Sequence, residues 1–266
     1  MDIPLQPPVA DPQSQRRHDR HRFLRALLIS LGFIGAIWWI KMIELWLGTS
    51  FSWLGVRPDH WTGLIGIVSA PMLHGSVEHL LSNTLPLLVL GTLTFAVYPR
   101  SAWRALATVW LLSGLGIWLF GRPSTHIGAS GLTHGLMFFL FVLGLLRRDR
   151  PAVATAMIAF FLYGGMLLSV LPGDPKVSWE AHLFGALSGV LAALLWGRLD
   201  PAPPRKRYSW EDEDDISPLE DELAARQRAE LEPARPNEVP VLWQHPPQPG
   251  ARVIDFPAPP RSERDS

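Results

Sequence analysis

Six apolar runs occupy most of the first 200 residues, and each is close to the length that a helix needs to cross a lipid bilayer. A hydrocarbon layer about 30 Å thick requires ~20 residues of helix. Buried helices of a large soluble domain would carry more polar faces than these runs show. The pattern predicts an all-α membrane protein with six transmembrane helices. The runs lie at about 24–47, 79–98, 102–120, 130–146, 152–171 and 180–197.

The distribution of proline and charge divides the chain into three segments. Residues 1–22 lack the short apolar core and cleavage site of a secretory signal, so the first run is expected to be a retained anchor. Residues 201–266 contain 13 of the 25 prolines and 14 of the 24 acidic residues, a composition typical of disorder. We expect a cytoplasmic N-terminal segment at 1–22, a six-span domain at 23–199 and a disordered cytoplasmic tail at 200–266, with a short helix near Leu219–Leu231.

Cationic residues lie at alternate ends of the six runs, a pattern that sets the orientation of a membrane protein. The loops at the other ends hold little more than Arg57, Arg122 and Lys176. The positive-inside rule therefore predicts that both termini lie in the cytoplasm. We expect a multi-pass protein of the cell inner membrane. The second, fourth and sixth runs would then begin at the outer face. The cationic set comprises Arg16, Arg17, Arg20, Arg22, Arg25, Arg100, Arg104, Arg147, Arg148, Arg150, Arg198, Arg205, Lys206 and Arg207.

These three runs all begin with residues suited to hydrolytic chemistry. The fourth begins with Gly128-Ala129-Ser130-Gly131, and the sixth with Glu180-Ala181-His182. Peptide hydrolysis by serine needs a base for the hydroxyl proton and donors for the developing oxyanion. The sequence therefore predicts a serine hydrolase within the bilayer, with Ser130 as nucleophile and His182 as base. The chain has no cysteine, which excludes thiol nucleophiles, thiolate metal sites and disulfides.

Donors for the oxyanion are expected at the start of the second and fourth runs. A helix start offers free N–H groups and positive potential, so the N–H of Ser130 is one expected donor. The glycines around Ala129 allow a tight turn that brings the substrate carbonyl close to this backbone. His79 and Asn83 are four residues apart and project from one helix face. Directed at Ser130, they would complete the oxyanion site.

Each of these residues alone also fits a purely structural role. A serine between glycines often caps or packs a helix in a membrane protein. Gly185 and Gly189 form a GxxxG pattern, which by itself indicates close contact between helices. Here such contact would bring the sixth run toward the fourth until His182 reaches Ser130. The combination is more specific than any of its members.

On these motifs the chain resembles the rhomboid intramembrane serine proteases of the bacterial six-span type. The resemblance covers roughly residues 50–197. It rests on His74 and His79 with Asn83, on Gly128-x-Ser130-Gly131, and on Ala181-His182-x-x-Gly185.

The resemblance implies a Ser130–His182 dyad without an acidic third member. It also implies that His79, Asn83 and the Ser130 N–H form the oxyanion site, and that His74 organises the first outer loop. Substrates would be transmembrane proteins cut near the outer membrane boundary. Neither a metal, an organic cofactor nor a nucleic acid would take part.

The chain departs from the family pattern at two positions. Many members carry a Trp-Arg pair about nine residues before the position of His74, where this chain has Ile65-Gly66. The family also often places a tyrosine four residues after the serine, where it stacks on the catalytic histidine, and here that residue is His134. An imidazole can stack as well. Because it can also take up a proton, the acid-base behaviour of His182 is expected to depend on it.

Other interpretations fit parts of the pattern. A catalytically inactive rhomboid-like protein would bind transmembrane helices without cutting them, but inactive relatives typically lose the serine or the histidine that this chain keeps. His126, four residues before Ser130, is an alternative base. Zinc sites prefer three or four converging ligands, and the sequence has no HExxH motif. A transporter or metal channel would use the histidines near the ends of the runs, which are His74, His79, His126, His134 and His182.

Overall fold

The structure is a computed structural model that describes residues 12–174, 177–201 and 218–231. The chain forms two compact units, residues 1–203 and 204–266. The regular elements of the described part are helical. Its α-helices are α1 (Pro12–Leu47), α2 (Gly66–Ser69), α3 (Val77–Val97), α4 (Ala102–Phe120), α5 (Ser130–Arg147), α6 (Arg150–Tyr163), α7 (Trp179–Trp196) and α8 (Pro218–Leu231).

Six helices are long and apolar enough to cross a membrane, which confirms the six predicted runs. They are α1, α3, α4, α5, α7, and α6 together with the 3-10 turn Gly164–Val170 that continues it. Large apolar side chains such as Leu28, Leu85 and Phe161 are more than half exposed on their outer surface. Such a surface suits contact with lipid, whose tails are as apolar as leucine. The chain is therefore a multi-pass helical membrane protein.

Helix α1 begins well before the apolar run that predicted it. It begins at Pro12, so much of the expected N-terminal segment 1–22 is helical. Proline is favoured in the first turn of a helix, because an N–H at that position would have no acceptor within the helix. The helix continues through a cationic stretch that hydropathy does not mark as a span. In the second unit α8 coincides with the short helix expected in the tail, and residues 202–217 and 232–266 lie outside the described part.

Helix α5 is the centre of the bundle. Its residues Phe139 and Leu140 are fully buried. Gly144 lies so close to α6 that an added β-carbon would fall on Ala156. The surrounding helices contribute to the same core through Ile37, Leu90, Val109, Ala159 and Ala192. The helix that begins at Ser130 is thus held on several sides.

Small residues let α7 approach α5 until their backbones touch. A β-carbon on Gly185 would clash with the carbonyl oxygen of Gly131. A β-carbon on Gly189 would clash with the carbonyl oxygen of Gly135. Interfaces of small residues are a common way for helices to pack closely in lipid. Further toward the start of both helices, a β-carbon on Gly131 would lie 3.2 Å from the Ala181 carbonyl oxygen. The contact brings the first turns of α5 and α7 together.

At the opposite end of the bundle, Asp200 joins the end of the last span to the beginning of α4. Its carboxylate accepts hydrogen bonds from the N–H of Arg100 at 3.0 Å, from the N–H of Ser101 at 2.9 Å and from the Ser101 hydroxyl at 2.6 Å. Arg147, at the end of α5, donates to the carbonyls of Gly197 and Asp200. Arg100 and Arg147, predicted to share one membrane face, therefore lie at one end of the bundle, away from Ser130.

The segment between α1 and α3 is folded against the end of α4 and the loop before α5. Val56 forms an isolated antiparallel bridge with His126. The indole of Trp118, on α4, donates to the carbonyl of His60 at 2.9 Å. These bonds anchor the segment in a chain that lacks the Trp-Arg pair. Its regular parts are α2 and the 3-10 turns Ser52–Leu54, Trp61–Ile65 and Ala70–Met72.

Candidate active site

A cavity of about 800 Å³ lies at the end of the bundle where α3, α5 and α7 begin. Its walls also include the loop before α5 and the 3-10 turn after α6. Residues from all three predicted motifs therefore border one space. The lining includes Ser130, His182, His79, Asn83, His134 and His126.

Ser130 is the first residue of α5, and the turn that leads into it depends on Gly128. The φ angle of Gly128 is +115°, a conformation that residues with a side chain rarely adopt. A β-carbon at this position would also lie 2.6 Å from Cε1 of His79. The Gly128 N–H donates to the carbonyl of Ala70 at 2.9 Å. The N–H of Ser130 belongs to the first helical turn, where backbone donors have no partner within the helix.

His182 lies in the first turn of α7, and the backbone fixes its protonation pattern. Its Nδ1 is 2.9 Å from the carbonyl oxygen of Ser169. A carbonyl can only accept, so Nδ1 carries the hydrogen and Nε2 of the neutral ring keeps a lone pair. Among the described residues, neither Nε2 of His182 nor the hydroxyl of Ser130 has a hydrogen-bond partner. The ring therefore has the tautomer that a general base needs at Nε2.

His134 lies one turn after Ser130 and stacks on His182. The ring centroids are 3.9 Å apart and the planes differ by 10°. Its Nδ1 is 2.7 Å from the Ser130 carbonyl oxygen, and its Nε2 is 2.8 Å from the Ser169 hydroxyl. The imidazole thus stacks on His182 at the position where many members of the family carry a tyrosine.

His79 and Asn83 border the cavity from α3. One hydrogen of the Asn83 amide donates to the His79 carbonyl at 2.9 Å, which leaves the second for another acceptor. The His79 ring meets His74 edge to face, with centroids 5.0 Å apart. His74 accepts the N–H of Ala129 on Nε2 at 3.3 Å. His74 therefore links the segment before α3 to the turn before Ser130.

His126, the alternative base, has both ring nitrogens engaged. Nε2 is 3.1 Å from the Arg122 carbonyl, to which it must donate, and Nδ1 is 2.7 Å from the Ser178 hydroxyl. The neutral ring consequently has no free lone pair for Ser130. Burial lowers the pKa of His126, which keeps this neutral form. Its contacts hold the loop before α5 against the start of α7.

The sequence interpretation missed a buried ion pair in α1. The Lys41 ammonium lies 3.0 Å from the Glu44 carboxylate and 2.9 Å from the His74 carbonyl. The second Glu44 oxygen accepts the N–H of Phe51 at 2.7 Å. The pKa of His74 is lowered to about 3, mainly by burial and further by the nearby His79 and Lys41. Two ionisable residues within an apolar run were the available signal, because such residues are rare in spans.

Two further contacts near His182 were not predicted. Glu180, buried in the first turn of α7, forms an ion pair with Arg122 at 3.2 Å. The motif contained Glu180, but no role was assigned to it. Ser169 contacts both stacked histidines, and a serine in an apolar run carried no signal for that position.

Within the described residues, no group of three or more His, Asp or Glu side chains is placed to hold a metal ion. The histidines that border the cavity bond instead to backbone carbonyls and hydroxyl groups, as His126, His134 and His182 do.

Comparison with known proteins agrees with this fold. Residues 59–199 match the model of the Rhomboid domain. An uncharacterized protein of Mycobacterium tuberculosis is 41% identical over 186 residues, which cover 66% of this chain and 75% of the relative. An uncharacterized protein of Mycobacterium leprae is 39% identical over 197 residues, which cover 70% and 76%. The fold and the cavity define a helical membrane protein with a polar site inside the bundle. The chain belongs to the rhomboid family of intramembrane proteases.

Proposed function

We propose that this chain is a serine endopeptidase that cuts transmembrane proteins near the outer membrane boundary with a Ser130–His182 dyad. One observation supports this most directly. The Ser130 hydroxyl and His182 border the same cavity, and no described residue bonds to that hydroxyl or to Nε2 of His182. Both groups are therefore left for a substrate or water in the cavity.

In the proposed reaction, Nε2 of His182 takes the proton of Ser130 as its oxygen attacks the carbonyl carbon of the substrate. The imidazolium then gives this proton to the leaving amine, and an acyl-enzyme is formed. Water, activated by His182, hydrolyses the acyl-enzyme. Throughout, the carbonyl of Ser169 accepts the Nδ1 hydrogen and stabilises the imidazolium, since the dyad has no carboxylate partner.

Three donors are proposed for the oxyanion of the tetrahedral intermediate. They are the backbone N–H of Ser130, the remaining amide hydrogen of Asn83 and the ring of His79. Fixed donors in a site shielded from bulk water stabilise developing charge without reorganisation. Gly128 supports the arrangement, because it allows the backbone before Ser130 to lie against His79.

The proposed orientation in the membrane follows from charge. Arginines lie at the end of the bundle opposite the cavity, so the positive-inside rule directs that end to the cytoplasm. We therefore propose an inner-membrane protein with cytoplasmic termini and an outward-facing active site. Its partners would be the bilayer and single-span or multi-span membrane substrates.

The test is cleavage of single-span membrane proteins by purified protein in liposomes, with the Ser130→Ala variant as the matched control. The wild type is expected to cut at least one member of a panel, and the variant none. A fluorophosphonate probe should label Ser130 in the same preparation. Cleavage by folded Ser130→Ala at the wild-type rate would exclude the proposed nucleophile.

A further inference from the structure

Ser169 contacts two histidines through different atoms. Its carbonyl oxygen lies 2.9 Å from Nδ1 of His182, and its hydroxyl lies 2.8 Å from Nε2 of His134. The two rings are stacked on each other. Ser169 therefore forms one hydrogen bond with each of the two stacked rings.

The number of hydrogens limits how this network can be arranged. Nδ1 of His134 lies 2.7 Å from the Ser130 carbonyl oxygen and must donate to it. A neutral imidazole has one N–H, so Nε2 of His134 must then accept. The Ser169 hydroxyl, which also lies 2.8 Å from the Met166 carbonyl, has one hydrogen and can donate to one of these two acceptors.

Two arrangements satisfy these limits, and they differ in charge. In the first, His134 is neutral and the Ser169 hydroxyl donates to its Nε2. In the second, His134 is cationic and donates from both nitrogens, and the hydroxyl donates to Met166. A cation 3.9 Å from the centre of the His182 ring would oppose the positive charge that His182 acquires during the reaction.

We propose that Ser169 is a positioning residue of the dyad: its carbonyl sets the Nδ1–H tautomer of His182, and its hydroxyl keeps His134, whose Nδ1 hydrogen is held by the Ser130 carbonyl, in the neutral form. The inference rests on the proposed protease function for its kinetic consequence. The hydroxyl keeps His134 a neutral stacking partner, and the carbonyl leaves the lone pair of His182 on Nε2. In this proposal Ser169 acts through the two histidines and not on the reacting atoms.

The kinetic test is a double-mutant cycle between Ser169→Ala and His134→Phe. Ser169→Ala should lower kcat roughly 3- to 10-fold with KM unchanged, the effect of losing one hydrogen bond. Phenylalanine keeps a stacking ring but has no nitrogen for the hydroxyl. Adding Ser169→Ala to His134→Phe should therefore change kcat by less than about twofold. Additive effects in the cycle would overturn the link between the two residues.

The matched control is Ser188→Ala. The Ser188 hydroxyl is buried in α7 and bonds to carbonyls of its own helix, Phe184 and Gly185. This variant removes the same atom from the same bundle but not from the network. It should leave kcat and the histidine spectra unchanged, so a general effect of losing a serine hydroxyl would be recognised.

The tautomers can be read without proteolysis. In ¹⁵N-histidine spectra of the full chain in micelles, His134 and His182 should each show a protonated Nδ1 and an unprotonated Nε2. Ser169→Ala should leave Nδ1 of His134 protonated, because the Ser130 carbonyl remains, but should shift the Nε2 resonance, because Nε2 loses its hydrogen-bond donor. A wild-type His134 with the hydrogen on Nε2, or on both nitrogens, would overturn the inference. Failure of the protease proposal would appear separately, as a wild type that neither cuts substrates nor labels Ser130.

Discussion

A β-carbon added to Gly185 of α7 would fall on the carbonyl oxygen of Gly131 in α5. Gly131 follows the proposed nucleophile, and Gly185 is three residues after the proposed base. The distance between the two halves of the dyad is therefore set by a backbone contact. Neither partner in this contact is a side chain that could rotate away.

Gly185→Ala should separate α5 from α7 and greatly reduce labelling of Ser130 by a fluorophosphonate. Overpacking of this kind typically costs ~1–3 kcal/mol of unfolding free energy. Fluorophosphonate labelling measures the reactivity of Ser130, and unfolding in detergent measures the loss of unfolding free energy. Gly35→Ala is the control, because Gly35 lies on α1 with no atom near an added β-carbon. It should retain labelling, and equal loss in both variants would contradict the proposed contact effect.

His182→Ala and His126→Ala should have different effects. Removal of His182 takes away the base, so labelling of Ser130 should be lost while the protein stays folded. Removal of His126 breaks its bonds to Ser178 and Arg122 and should lower the unfolding temperature. The fraction of protein that remains folded should still label. The opposite labelling pattern would identify His126 as the base.

Asn83→Ala should reduce turnover more than apparent substrate affinity. An oxyanion donor acts on charge that develops in the transition state, and loss of one donor costs ~10²–10³-fold in kcat. The backbone N–H of Ser130 would remain, so activity should not vanish. Steady-state kinetics in liposomes provide the measurement. Unchanged kcat with a raised KM would make Asn83 a residue that positions the substrate.

Lys41→Met should destabilise the protein strongly, because it leaves the Glu44 carboxylate buried without its cation. Breaking a buried pair from one side typically costs ~3–5 kcal/mol. The double variant Lys41→Met/Glu44→Leu should recover part of this loss, since no charge is left unpaired. The unfolding free energy of the single and the double variant can be measured in mixed micelles. Arg226→Met, which breaks the exposed pair with Glu222, is the control and should have no effect. A double variant less stable than the single one would contradict this account.

Acid should destabilise the folded protein partly through His74. Its pKa is about 3 in the folded state, against an ordinary value of 6.5. Below the ordinary value the unfolded chain binds a proton that the folded chain does not bind, so this contribution to stability is lost as the pH falls from 6.5 toward 3. His74→Asn should reduce the slope of unfolding free energy against pH in that interval. Above about pH 7.5 the slopes should agree, since histidine is neutral there in both states. An unchanged slope in acid would contradict the assignment to His74.

The sequence was sufficient to predict the six spans, because each run is apolar over the length of a bilayer crossing. Ser130, His182, His79 and Asn83, named from the sequence, border one cavity because the helices that carry them begin at the same end. Gly128 and Ala129 belong to the turn before Ser130 and do not line the cavity. It did not predict Ser169, whose importance depends on a 3-10 turn that brings its hydroxyl and carbonyl to two rings. The start of α1 was placed too late because charged residues end an apolar run without ending a helix.

The carboxylate of Asp200 has a consequence for how the protein is made. The backbone donors it satisfies belong to Arg100 and Ser101, which precede it by 100 and 99 residues. During synthesis, α4, the third span, is therefore made before the group that completes its entry turn exists. Closure of this bond therefore requires that the last span has already been made.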